Sequence, residues 1–146
     1  MTTCSTFDSV SGRLTIFEGS LVLDKNMTLP DFRKNENFSK SEPLISNQSH
    51  RSYSLNSLEI WGQPFHVAVY FKSEKLDMIT LKIVNAKFGV GWEDFSAEKE
   101  IDRKAMHDQI LIDNNIFPGE KSWGWMYSEY DEKSGFSSIV LTFGRK

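Results

Sequence analysis

The three histidines are the first candidates for chemistry, because imidazole titrates near neutral pH and binds metal ions. His50, His66 and His107 lie far apart in the sequence, and none has a second His or Cys at the spacing of a zinc site. His66 falls on the solvent face of a predicted strand, and His107 falls off the apolar stripe of a predicted helix. We therefore expect ordinary surface or half-buried histidines, with a proton-shuttle role as the alternative, and we predict no metal site and no cofactor.

The other reactive groups do not assemble into a catalytic pattern either. Cys4 has no basic or helix-terminal neighbourhood that would lower the pKa of its thiol. Glu18 and Glu59 are the acids most embedded in predicted strands, where a carboxylate usually marks the solvent face rather than one half of a glycosidase pair. Gly89 and Gly91 lack the third glycine and the lysine of a phosphate-binding loop. The sequence therefore predicts a protein that is not an enzyme.

Negative charge is concentrated in the second half of the chain. The whole protein has a net charge of −3, whereas residues 85–132 alone hold eleven acids and five bases, a net of −6. A solvated helix face would explain this, but so would an acidic surface that steers a basic partner into place. Tryptophans and tyrosines, which are frequent both in cores and at interfaces, lie close to these acids. The predicted partner-binding residues are Glu93, Asp94, Glu98, Asp102, Trp123, Trp125, Glu129 and Asp131.

These side chains need strands and a helix to position them, and alternation of apolar residues predicts several strands. Phe65, Val67, Val69 and Phe71 share one face of the clearest strand, and residues 76–84 form the next. A closing hairpin joins residues 123–130 to 136–143 across a glycine-containing turn. The remaining predicted β segments are residues 57–61 and the run from Leu14 to Leu23, which is either one bent strand or a short hairpin.

One long helix is predicted from Ser96, a good N-cap, to about Asn114. Its apolar stripe at helical spacing predicts the face that is buried, interrupted by Asp108. A short helix is predicted after Thr28, with Pro30 in its first turn, and residues 35–54 are expected to be irregular. The residues of the long helix's stripe are Ala97, Ile101, Ala105, Ile112 and Ile116.

Together these elements predict an α+β fold: a single antiparallel β-sheet of about five to seven strands packed against one main α-helix. The length of 146 residues fits one domain spanning residues 1–146. The single cysteine fits a reducing compartment, and no apolar run reaches the length of a signal peptide or membrane helix. We therefore expect a cytoplasmic protein with no membrane partner.

The closing segment WGWMYSEYDEKSGFSSIVLTF has an aromatic-glycine strand, a Tyr-Asp pair, a glycine-containing turn and then Ser-Ser-Ile before an alternating strand. With the earlier stretch PFHVAVYFKSEKLDMITL, it resembles the small bacterial immunity proteins of contact-dependent-inhibition and other polymorphic toxin systems. The resemblance covers residues 58–84 and 105–143. It implies tight binding that blocks a toxin domain, without catalysis, and it transfers no site residues, because immunity surfaces follow their toxins.

From these observations we expect an immunity-type binding protein that neutralises a toxin, with a nuclease domain as the expected target because its phosphate-binding cleft is basic. Two alternatives remain open. One is a single-stranded nucleic-acid module that uses its aromatic strands for stacking, although the acidic composition makes nucleic acid an unlikely partner. The other is a small enzyme or ligand carrier with a pocket between helix and sheet.

Overall fold

A ten-stranded sheet dominates the computed structural model, which describes residues 3–88 and 96–144. The strands run in the order β3-β2-β1-β5-β6-β7-β10-β9-β8, and β4 pairs with β5 beside this path. Their bounds are β1 Thr3–Asp8, β2 Arg13–Ile16, β3 Leu21–Leu23, β4 Glu42–Ser46, β5 His50–Ile60, β6 Gln63–Lys72, β7 Lys75–Ile83, β8 Gly119–Lys121, β9 Gly124–Asp131 and β10 Phe136–Thr142.

The predicted fold class was wrong in two respects, the number of strands and their direction. The sheet has ten strands rather than five to seven, and it is mixed, because β1 runs parallel to β5 through the pairs of Thr3 with Leu58 and Ser5 with Ile60. The polar segment TCSTFD of β1 has no apolar alternation that would reveal a strand. The predominantly β protein carries one long helix on this sheet.

The segment expected to be irregular, residues 35–54, also contains strands. β4 occupies Glu42–Ser46, and β5 begins at His50 rather than at Ser57. All five residues of β4 are exposed, so the sequence has no hydrophobic periodicity there. Tyr53 is buried and packs on Phe32 with ring centres 5.3 Å apart, which ties this part of the sheet to the core.

Several predicted elements were confirmed. The Leu14–Leu23 segment is a hairpin of β2 and β3, with Leu14 opposite Leu23. The short helix α1 spans Leu29–Lys34, and the Thr28 hydroxyl accepts the Asp31 N–H at 3.3 Å. The central strands β6 and β7 and the closing hairpin of β9 and β10 lie where alternation placed them.

The long helix α2 spans Ala97–Asp113, and the Ser96 hydroxyl caps it by accepting the Lys99 N–H at 3.0 Å. It packs on β10, β9 and β7, on the same side of the sheet as the buried residues Phe65, Ile139 and Met126. A short 3-10 helix, Ala86–Phe88, lies beside it. Among the described residues, no helix is both long and apolar enough to cross a membrane.

Candidate functional site

Helix α2 buries polar residues and exposes apolar ones, which is the reverse of the prediction. The predicted stripe is not in the core: Ile101 is 55% exposed, Ile112 is 62% exposed and Ala105 is also exposed. Of the five stripe residues only Ile116 is buried, and it lies beyond the end of α2. The residues that α2 turns towards the sheet are Glu100, Arg103, His107 and Leu111.

Strands β7 and β10 separate before they end, and we call this gap the split between them. The polar side chains of α2 can be buried because they accept hydrogen bonds from backbone N–H groups that face the split. The two strands pair as far as Leu81 and Ile139, and the next backbone N–H groups have no strand partner across the gap. Instead, the Ile83 N–H donates to Nε2 of His107 at 3.0 Å, and the Ser137 N–H donates to Oε1 of Glu100 at 2.8 Å. Helix side chains therefore satisfy buried backbone donors that the sheet leaves open.

A buried ion pair reinforces this contact. Nη1 of Arg103 donates to both carboxylate oxygens of Glu100, at 3.0 and 2.8 Å, and the guanidinium carbon lies 5.1 Å from the centre of the Phe88 ring. The Ser137 hydroxyl adds a bond to the backbone oxygen of Glu100. Burial lowers the pKa of Arg103, an effect that the neighbouring Glu100 opposes. Among the described residues, the buried Nε of Arg103 has no hydrogen-bond partner, and both hydrogen bonds to Glu100 come from Nη1.

His107 is a core residue, which corrects the expectation of a surface or half-buried histidine. Its side chain is 0% exposed and stacks on Phe65 with ring centres 6.1 Å apart. Burial, followed by the charge of Arg103, lowers the pKa of His107 to about 4. Nδ1 is buried and has no hydrogen-bond partner within residues 3–88 and 96–144. The imidazole is therefore neutral at physiological pH and acts as a hydrogen-bond acceptor for the sheet.

The sequence contains a signal for this inward face that apolar periodicity does not detect. Glu100, Arg103, His107 and Leu111 follow one another at intervals of three or four residues, the spacing of one helix face. Three of the four are polar, so a search for hydrophobic residues selects the opposite side of α2.

The opposite side of α2, which we call the outer face, combines apolar and acidic residues. On a helix with about 100° between residues, Ile101, Ala105 and Ile112 lie within about 40° of one another. In the part of the chain that the structure describes, no lysine or arginine lies within 4.0 Å of the carboxylates of Glu98 or Asp102. The outer face consists of the exposed residues Glu98, Ile101, Asp102, Ala105, Gln109, Ile112 and Asp113.

A depression of about 490 Å³ lies along one edge of the outer face, between α2 and the 3-10 helix. Its α2 wall includes Asp102 and Ala105, and its other wall includes Lys87 and Phe88. Phe117, which follows α2 in the chain, is also exposed, at 72%. The outer face therefore offers a partner both an apolar strip and a recess with a carboxylate at its edge.

The structure divides the predicted partner-binding residues among different places. Glu98 and Asp102 lie on the outer face, as predicted for a surface patch, whereas Glu129 and Asp131 line a groove on the far side of the sheet. Glu93 and Asp94, like Gly89 and Gly91 of the excluded phosphate loop, lie outside the described residues. The predicted acids therefore do not form a single patch within the described chain.

Trp123 belongs to the hydrophobic core. It is 4% exposed, its Nε1–H donates to the Ser9 backbone oxygen at 2.9 Å, and Gly12 packs directly against its indole ring. Glycine is required at position 12, because the Cβ of any other residue would overlap the indole ring. Trp125 lies two residues further along, on the half-buried face of β9. The burial of Trp123 differs from the exposed anchor that the sequence suggested, whereas partner binding by Trp125 stays a prediction.

The groove on the far side of the sheet has a volume of about 290 Å³. His66 and Lys82 sit opposite each other on β6 and β7, and Nζ of Lys82 lies 4.0 Å from the centre of the Phe136 ring. Burial is the main cause of a lowered pKa at both His66 and Lys82. Within residues 3–88 and 96–144, no three His, Cys, Asp or Glu side chains cluster as a metal site requires.

Comparison with known proteins gives no further guidance to this geometry. No protein-family model, no curated protein and no solved structure matches the chain.

Proposed function

We propose that the protein is a non-catalytic binding protein that docks a basic partner protein on the outer face of α2. The observation that carries the proposal is the orientation of α2, which points Ile101 and Ile112 to solvent while Glu100, Arg103 and His107 fill the interface with the sheet. A helix with this orientation gains little stability from its isoleucines in the free protein. A partner that covers them would supply a reason for their position.

The chemistry of the outer face favours a partner that is both apolar and basic. Burial of an isoleucine side chain contributes about 1.5–3 kcal/mol, so Ile101 and Ile112 would supply affinity. Glu98 and Asp102, beside them, would speed the approach of a positively charged surface and fix its orientation. A toxin nuclease is such a partner, because its cleft binds phosphate. The specific form of the proposal is therefore a cytoplasmic immunity protein that blocks a nuclease toxin.

The test begins with the reading frames that neighbour this protein's gene: a nuclease-type toxin domain encoded there is purified and mixed with the full chain. We expect inhibition of nucleic-acid cleavage and tight binding by isothermal titration calorimetry. Ile101→Asp and Ile112→Asp should each weaken binding by about 2 kcal/mol, roughly 30-fold in Kd. Val10→Asp is the matched control, since Val10 is 80% exposed and lies between β1 and β2 rather than on α2. Equal affinities for all three variants, or uninhibited cleavage, would reject the proposal.

Charge reversal then decides which acids take part. Glu98→Lys with Asp102→Lys should slow association at low salt, since exposed charges act mainly on the encounter rate. Glu129→Lys with Asp131→Lys reverses the same number of charges on the far side of the sheet and should leave the rate unchanged. The opposite result would move the docking site to the groove.

The alternatives considered from the sequence receive less support. A stacking platform for single-stranded nucleic acid would need exposed aromatic rings and a basic track, but Trp123 is buried and Glu129 and Asp131 line the sheet groove. The interface between α2 and the sheet, where a ligand pocket was considered, is filled by Glu100, Arg103 and His107.

A further inference from the structure

The hydrogen bond between α2 and β7 requires a neutral His107. Nε2 accepts the Ile83 N–H at 3.0 Å, so the proton of the neutral ring resides on Nδ1. A proton added from solvent would bind to Nε2, so that the new N–H of His107 would face the N–H of Ile83, two donors with no acceptor between them. The charged ring cannot keep this bond, and its burial against Phe65 leaves it no water to replace the bond.

The charges around His107 also oppose its protonation. The buried carboxylate of Glu100 lies one turn from Arg103. It accepts hydrogen bonds from that arginine and from the Ser137 N–H. Strand β10 contributes no ionisable side chain, and on β9 the carboxylates of Glu129 and Asp131 line the groove on the far side of the sheet. The charged groups that act on His107 are Arg103, Lys104 and Asp108 of α2 and Lys82 of β7. The other ionisable side chains on the surrounding elements are Glu98, Lys99, Asp102 and Asp113 of α2, His66, Tyr70 and Lys72 of β6, Lys75 and Asp77 of β7, Lys87 of the 3-10 helix, and Tyr127 and Tyr130 of β9.

We propose that His107 makes α2 a pH-sensitive latch, in which protonation of Nε2 breaks the bond to Ile83 and releases the His107 end of the helix from the split between β7 and β10. Glu100 and Ser137 hold the other end, so release is confined to the half of α2 that carries Ile112. Loss of partner docking in acid follows only if the outer face is the docking site and thus rests on the proposed function. The latch itself does not depend on the proposed function.

The direction of the pH dependence follows from the two protonation states. Released His107 has an ordinary pKa near 6.5, whereas docked His107 has a pKa of about 4, so the docked state is favoured above pH 6.5 and weakened as the pH falls towards 4. Between about pH 7.5 and about pH 5, these values predict a drop of about 30-fold in the equilibrium constant for docking.

Residue-resolved amide hydrogen exchange on the free full chain measures this constant. After correction for intrinsic exchange, the protection of the Ile83 amide should fall about 30-fold between the two pH values, with amides of β5 and β6 unchanged. In His107→Gln, the side-chain oxygen can accept the Ile83 N–H and does not titrate, so protection should be independent of pH. His50→Gln, at an exposed histidine, should behave as the wild type.

Three results would overturn the latch: protection of the Ile83 amide that does not fall between the two pH values, an equal loss in His107→Gln, or simultaneous opening of β5 and β6. If His107→Gln does not fold, the wild type alone gives the answer, because NMR of the imidazole nitrogens must show His107 taking up its proton in step with the opening at Ile83. Titration without opening would reject the mechanism. No partner is present in these experiments, so their failure leaves the docking proposal to its own test.

Discussion

Replacement of Glu100 by glutamine should strongly destabilise the protein, although the two side chains have nearly the same shape. Glutamine keeps an oxygen for the Ser137 N–H, which Glu100 now accepts at 2.8 Å. It removes the negative charge that faces Arg103, which is buried. Loss of one partner from a buried ion pair costs about 3–5 kcal/mol, because the remaining charge is left uncompensated. We expect Glu100→Gln to lower the free energy of unfolding by this amount.

Urea denaturation followed by tryptophan fluorescence measures the change. The double variant Glu100→Gln/Arg103→Met removes both charges and keeps the acceptor for Ser137, so it should return to within about 1 kcal/mol of the wild type. Asp108→Asn breaks the partly exposed pair with Lys104 on the same helix and should cost at most about 0.5 kcal/mol. A stable Glu100→Gln variant, or a double variant as unstable as the single one, would refute this account of the α2 interface.

The remaining predictions concern a glycine and a tyrosine. Gly12→Ala and Gly62→Ala both place a side chain at positive φ, 72° and 74°, but only at Gly12 would it overlap Trp123. Thermal or urea unfolding should therefore show a loss of about 1 kcal/mol for Gly62→Ala and at least about 2 kcal/mol more for Gly12→Ala; equal losses would contradict the overlap. Burial, then Glu129, raises the pKa of Tyr127, so Tyr127→Phe should remove a phenolate that forms above the ordinary tyrosine range in an alkaline absorbance titration, and an unchanged titration would contradict this.

Sequence periodicity predicted the centre of the sheet because those strands bury one face. Phe65, Val67 and Val69 recur at every second residue, and they lie in the core. β1 and β4 were missed because they lack this contrast: β4 is exposed along its length, and β1 is short and polar. These strands are defined by backbone pairing with β5, for which a local sequence pattern gives no signal.

For the long helix, the sequence predicted where the element lies in the chain but not which of its faces is buried. Capping by Ser96 and the helical spacing predicted α2 nearly to the residue. Its orientation could not be predicted from hydrophobicity, because β7 and β10 diverge and leave donors that only polar side chains satisfy. Of the predicted site, Glu98 and Asp102 lie on an exposed surface, whereas the position of Trp123 depended on the distant Gly12 and Ser9.

The directional hydrogen bonds of Glu100 and His107 fix the position of α2 on the sheet independently of the residues on its outer face. A helix seated by isoleucines tolerates a small rotation or shift, but this one would lose its bonds to Ser137 and Ile83 if it moved by a single residue. The inward residues thus fix the register of the helix without help from Ile101 or Ile112. The surface-exposed positions can accordingly be substituted while the scaffold is kept, and under the proposed function these are the positions at which binding specificity would be changed.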